Sequence, residues 1–495
     1  MRLWGLLFSL CLVAFACAGQ SDSASGDASV ARELSESTSS DESSEDAASA
    51  SSDASAATGN NDAQGTIESD TNAEDGSDDS STDSASTINS DAEQAPDASV
   101  GSSDEDEAAD ETVDTESASN DEGAADDDNA AAGDTAAAGD TATSAPAPAT
   151  EFDRVVDELI AFVEQERGYS FTSRPEIDLL TNDQFGQAWL DVVADDVSEN
   201  QAEYVNYTDI YRAMGVIDGD RSLEEIWQRF GDAGVIGFYN PSTGGIVLRN
   251  GEVNAFTRSV LVHELVHALE DQVFDIDRPQ YANEANEREW TFSALIEGSA
   301  RRIETIYRST FTAAELEEET AARRALPRTV SLSEFNTSFL ELQFGRYRYG
   351  EEFVTTLWNQ GADSLDDALA QPPLTSEAIL DPDFYLRSDE TQELALPPAD
   401  GEVFESGVWG EAAWAAVFAD IAAVAEAETI ADGWNGDSFV AYRNGSTTCV
   451  RVHLAADTPT ELDEYAETLE AWASLELGRD VFFPSADLIR VTACG

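Results

Sequence analysis

The sequence predicts an α+β protein, mostly helical, with a small mixed or antiparallel sheet. Three observations carry this. Residues 20–150 contain no Phe, Tyr or Trp, whereas aromatic residues are frequent from Phe152 onward. Beyond Glu151, apolar residues recur at helical spacing in several segments. Strand-like runs are fewer and shorter, and turn residues separate them.

The chain opens on a segment with the features of an export signal. Arg2 supplies a basic start, Leu3 to Ala16 is apolar, and Ala14, Ala16, Ala18 and Gly19 are small. An apolar run of about 14 residues suits a signal core and is short for a membrane span. Cys17 after Ala16 resembles a lipobox, which implies lipidation at Cys17 and anchoring on the extracellular face of the membrane. Ordinary cleavage after Ala16 or Ala18 would instead release a secreted protein. A membrane is expected as a partner only through that lipid.

Residues 20–150 are Ser, Ala, Asp, Glu, Thr and Gly in irregular order. Such a segment buries too little apolar surface to offset chain ordering, so a disordered acidic stalk is expected. Like charges extend it. The third region, 151–495, is expected to fold.

In that region Val155, Leu159, Phe162 and Val163 share a helical face. Further helices are predicted at Asp183–Ala194, Ser222–Phe230, Thr257–Val273, Glu287–Tyr307, Gly350–Gln360, Trp409–Glu426 and Thr460–Leu475. Strands are predicted at Val235–Tyr239, Gly244–Leu248, Ser438–Arg443, Cys449–Leu454 and Asp487–Val491. Asn240 to Gly244 reads as a hairpin turn, and Asn444-Gly445 as another turn. The last stretch, about 400–495, reads as a C-terminal α+β part. Of four cysteines, Cys11 falls in the signal segment and Cys17 in the lipobox. Outside the cell, the remaining Cys449 and Cys494 are expected to form a disulfide.

The chain carries 101 acidic and 25 basic residues, a formal net charge of −76. It contains no lysine, so every basic residue is arginine. The excess is not confined to the stalk: residues 21–150 hold 35 acids, which leaves most of the acids to the folded part. So acidic a surface repels nucleic acid, and a nucleic-acid partner is excluded. Self-repulsion also opposes compaction at ordinary ionic strength. Molar salt shortens the screening length to about 3 Å and removes most of that repulsion. The composition is that of a halophilic protein.

Only three histidines occur, and two lie in His263-Glu264-Leu265-Val266-His267. On a helix, positions i and i+4 face the same way, so both imidazoles can reach one metal ion. Glu264 lies beside them. Zinc lowers the pKa of its water to about 7, and a neighbouring carboxylate can take the proton. Val260, Leu261, Val262, Leu265, Val266, Ala268 and Leu269 make this helix apolar nearly all round, which implies burial. His263, Glu264, His267 and Asp271 form one polar stripe down it, and buried polar groups need partners. The alternative is a pair of core histidines satisfied by their surroundings, with Glu264 ion-paired.

The run from His263 to Gln272 resembles the active-site helix of HExxH zinc peptidases. Within them it is similar to the gluzincins, typified by thermolysin, whose third ligand is a glutamate on the next helix. The resemblance implies a zincin-like catalytic domain with its active-site helices at 257–307, one zinc ion per chain, and a peptide or protein substrate. It implies that Glu264 is the catalytic base, that His263 and His267 are metal ligands, and that Glu297 is the third. Glu297 stands in Ala294-Leu295-Ile296-Glu297-Gly298-Ser299-Ala300, whose small residues would let two helices approach. Glu284, Glu287, Glu289 and Glu304 are its rivals. Asp271, four residues after His267, matches an aspartate that orients a ligand histidine in that family. Arg301 stands where the family usually has another aspartate, and Glu304 could substitute for it. Segments Pro372–Glu377 and Gly433–Asp437 resemble a poorly characterised group of prokaryotic surface proteins with a comparable helix.

Other roles are open. The family binds substrate by adding it to an edge strand, and Gly244–Leu248 is placed for that or is an ordinary hairpin strand. An oxyanion donor is needed: His453, Tyr442, Tyr281 and Arg451 are candidates. Peptide hydrolysis is the first functional reading. The alternatives are a surface binding or adhesion protein with a non-catalytic zinc site, and a zinc hydrolase of a non-peptide substrate.

Overall fold

The expectation of an α+β chain, mostly helical, holds in the computed structural model, which describes residues 10–11, 150–249, 253–281, 286–326 and 329–495. The expected stalk, Cys17 and most of the expected signal segment lie outside these residues, as does Glu284. Among the described residues no helix is long and apolar enough to cross a membrane.

The elements run β1 (Leu10–Cys11), α1 (Glu151–Arg167), β2 (Glu176–Leu180), α2 (Asn182–Met214), α3 (Leu223–Gly234), β3 (Gly237–Asn240), β4 (Gly245–Arg249), α4 (Ala255–Phe274), α5 (Arg288–Ser309), α6 (Ala313–Ala325) and α7 (Thr337–Gln360). They continue with α8 (Ala362–Ala370), α9 (Glu377–Leu380), α10 (Pro382–Arg387), β5 (Glu402–Gly407), α11 (Glu411–Phe418), α12 (Val424–Ala431), β6 (Trp434–Asn444), β7 (Thr447–Ala456), α13 (Pro459–Ser474), β8 (Arg479–Ser485) and β9 (Leu488–Cys494).

Local chemistry sets the helix ends. Thr150 and Asp153 form a capping box that starts α1, so the helix begins where the apolar pattern begins. Thr181 with Gln184, and Ser222 with Glu225, do the same for α2 and α3. Asn254 caps α4 by accepting from the Thr257 amide, and Asp275 ends it at φ 57°. The predicted helix at Trp409–Glu426 is two helices, because the chain turns between Phe418 and Val424.

The described residues form two sheets. The first is mixed, with order β1-β3-β4-β2: β3 and β4 form the expected hairpin across Asn240–Gly244, and β2 joins β4 in parallel. Gly244, at φ 68°, supplies the left-handed turn position. β4 is therefore an inner strand, paired on both sides. The expectation that Gly244–Leu248 offers a free edge to substrate is overturned, since β2 fills that edge. The second sheet is antiparallel, with order β5-β6-β7-β9-β8. Cys449 and Cys494 are directly paired residues of β7 and β9 and form the expected disulfide.

Two cores bury the apolar faces. One joins α1, α4 and the first sheet through Val156, Leu159, Val163, Tyr239, Ile246, Val262, Leu265 and Leu269. The larger one joins α2, α3, α7 and α11 to the second sheet, and includes Trp189, Phe230, Phe339, Trp414 and Trp434. Asp437 fastens the larger core: its carboxylate accepts from the Trp409 and Gly410 amides and from the indole N–H groups of Trp414 and Trp434.

α5 and α7 cross in backbone contact. A methyl on Gly298 would stand 2.1 Å from the Gly350 carbonyl oxygen. The expectation that small residues beside Glu297 let α4 and α5 approach holds for Ser299 and Ala300, which face α4, whereas Gly298 meets α7.

Candidate metal centre

α4 is buried on every side for most of its length, as its apolar composition requires. His263, Glu264 and His267 have no exposed surface, and Glu297 on α5 has 1%. One ligand atom each from His263, His267 and Glu297 lies within 4.8 Å of the other two. Glu297 Oε2 is 3.0 Å from His263 Nε2 and 3.5 Å from His267 Nε2. Both rings and the carboxylate therefore aim at one point between two helices.

The donor set fits a divalent cation. His267 Nδ1 and Glu297 Oε1 are buried and have no hydrogen bond. Such atoms are costly. Two neutral imidazoles and one carboxylate are the ligands of open zinc sites. Burial disfavours a charged His267 and outweighs the pull of Glu297, so the ring titrates below the usual histidine value. The neutral ring is the form that a metal needs. Burial pushes Glu297 up, yet the His267 and His263 rings outweigh it and hold the carboxyl below its usual range.

The surroundings differ in part from expectation. Glu304 Oε2 lies 3.4 Å from His263 Nδ1 and 2.7 Å from the Arg301 guanidinium. Burial alone would raise Glu304, but Arg301 outweighs it and the carboxyl is held at about 2. Arg301, the departure from the family pattern, thus keeps a carboxylate charged beside His263. Asp271 faces no histidine. Its carboxylate accepts from the Tyr239 hydroxyl at 2.7 Å and from the Ile276 amide at 3.1 Å, tying α4 to β3 and closing its exit. Of the rival glutamates, Glu287 accepts from Ser376 and Glu289 pairs with Arg346 at 3.0 Å.

His453 and Tyr442, the candidate oxyanion donors, belong to the second sheet. His453 Nδ1 lies 3.0 Å from the Ala395 carbonyl, and Tyr442 receives a hydrogen bond from Arg451 at 2.9 Å. Ser438 also donates to Ala395, and Arg451 pairs with Asp400 at 2.6 Å. These side chains hold the segment 395–400 across the sheet face. Tyr281 stacks on Phe292 with ring centroids 4.7 Å apart. The aromatic residue that does stand beside the centre is Tyr347 of α7, buried, with its ring 6.3 Å from that of His263. No local pattern marks it, because it lies over eighty residues downstream of His263.

Comparison with known proteins adds one finding. Residues 401–490, which run from just before β5 to within β9, match a family model described as a domain of unknown function (DUF8575). The match covers less than half of the chain and leaves out α4 and α5. No curated protein matches the chain, and no solved structure matches it.

Proposed function

We propose that the chain is a zinc-dependent hydrolase that cleaves peptide bonds outside the cell. One observation carries the reading: His263, His267 and Glu297 converge on one buried point, with Glu264 next to His263 on the same helix. Bound there, zinc would polarise the substrate carbonyl and acidify a water molecule. Glu264 would accept the proton of that water and pass it to the leaving amine. Glu304, kept charged by Arg301, would hold His263 by its Nδ1–H and leave Nε2 free to ligate.

The complete burial of these side chains favours a second reading, a closed zinc site that supports the fold of a surface binding protein. Glu264→Gln separates the two. In purified protein in molar salt, the substitution is expected to keep zinc, measured by elemental analysis, and to abolish casein hydrolysis. Wild-type protein that holds zinc but cleaves neither casein nor a broad peptide library would favour the closed site. Hydrolysis unchanged by the substitution would remove Glu264 as the base.

A further inference from the structure

Next to Asp271, α4 carries a second buried carboxylate, and its partners lie on α1 and α5. Glu270 follows His267 by three residues, so the two side chains are neighbours on one helical face. Glu270 is 1% exposed, and its Oε2 has no hydrogen bond, nor has His267 Nδ1. Its other oxygen is held twice. Arg167 Nε donates to Oε1 from α1 at 2.7 Å, and the Ser299 hydroxyl donates to it from α5 at 2.5 Å. Arg167 is 3% exposed and also donates to Asp366 at 3.1 Å, where Tyr169 donates as well at 2.6 Å.

We propose that Glu270, clamped by Arg167 and Ser299, is the positioning residue that sets the spacing of α4 from α5 at the centre. The reasoning rests on the zinc reading above. Zinc ligands come from both helices, and ligand distances must hold within about 0.2 Å. Ser299 stands two residues from Glu297, so its bond to Glu270 fixes the carboxylate ligand relative to the imidazole ligands. Glu304 steadies His263 on one side of the centre, and Glu270 sets the distance between α4 and α5 on the other. Arg167 makes α1 part of the centre's support.

The test separates positioning from simple stapling of α1. Glu270→Gln removes the charge that pairs with Arg167. Tyr169→Phe weakens the same α1 attachment at Asp366 without touching Glu270. Zinc affinity is measured by chelator competition in molar salt, below the melting temperature of each protein. Coordination is read from the visible spectrum of the cobalt-substituted form. Glu270→Gln is expected to lower zinc affinity by about 10- to 100-fold and to alter the cobalt spectrum. Tyr169→Phe should leave both unchanged even where it lowers the melting temperature. Ser299→Ala, a smaller change that keeps the fold, should lower affinity in the same direction as Glu270→Gln. Equal affinities in wild type, Glu270→Gln and Ser299→Ala would overturn the proposal while leaving the zinc reading intact. An equal loss in Tyr169→Phe and Glu270→Gln would also overturn it, because α1 would then be only a staple. Wild-type protein that binds no zinc would sink the underlying reading and this inference with it.

Discussion

The crossing of α5 and α7 ties the fold to the candidate site closely enough to be tested by one methyl group. In Gly298→Ala the new Cβ would stand 2.1 Å from the Gly350 carbonyl oxygen, 2.2 Å from its carbon and 2.8 Å from its Cα. Ordinary contact begins near 3.4 Å, so the methyl asks for about 1.3 Å more room against the oxygen. No flexible side chain can give way there, since the obstruction is backbone. Overpacking of this kind costs about 1–3 kcal/mol, and an unyielding contact belongs at the upper end. A loss of about 3 kcal/mol lowers the melting temperature by roughly 4 °C in a folded region of about 345 residues. The shift also reaches the centre, because Glu297 adjoins Gly298 and zinc tolerates little change in ligand distance. Gly298→Ala is therefore expected to melt earlier and to bind zinc at least about tenfold more weakly. Calorimetry in molar salt and chelator competition measure the two effects. Gly186→Ala is the control: its nearest neighbour would be Asp232 at 4.0 Å, and alanine is the better helix former. A Gly298→Ala protein that melts with wild type and keeps its zinc affinity would refute this account of the crossing.

Two further predictions rest on buried carboxylates. Burial pushes Glu287 and Glu377 each up to about 8, from an ordinary value of 4.5. The folded chain then holds protons that the unfolded chain has released, so this stability is full below about pH 4.5 and is lost as pH rises towards 8. Melting temperature should fall between pH 5 and 8, and Glu377→Gln should flatten that fall; an unchanged slope would count against the buried acid. Asp437→Ala leaves four buried N–H donors without their acceptor. At about 1–3 kcal/mol for each unsatisfied group, the second sheet should lose its packing, seen as lost near-ultraviolet dichroism, whereas Asp437→Asn keeps part of it.

Legibility from sequence followed how local the determining contacts are. α4 announces itself, since two histidines at i and i+4 within an apolar run specify a helix, a face and a chemistry together. The β3–β4 hairpin and the Cys449–Cys494 pair were also readable, one from its turn and the other from elimination among four cysteines. β2 was missed: its pairing with β4 lies some seventy residues away, and its burial pattern does not alternate cleanly. That one missed strand changed a functional expectation, because it converts β4 from an edge to an inner strand. The first half of α7 was missed because Phe339, Leu342 and Tyr347 are interrupted by Gly345 and by charged positions. Asp271 and Glu270 are adjacent, and only three-dimensional partners tell them apart: Asp271 is taken by Tyr239, whereas Glu270 joins α4 to α1 and α5.

The scarcity of cations sharpens that distinction. Among 25 arginines facing 101 acids, Arg167 and Arg301 are 3% and 2% exposed, and both lie against carboxylates beside the candidate ligands. A buried arginine is costly unless it is paired, and the surface of this chain offers acids in every direction at no such cost. Placing two arginines at the junction of α1, α4 and α5 therefore concentrates fixed positive charge against Glu270 and Glu304. Salt screens the exposed acids over distances of a few ångströms but acts weakly on buried pairs. The same composition thus yields two electrostatic regimes, an outer one that depends on salt and an inner one that does not. Only the inner regime fixes the direction in which the two imidazoles point.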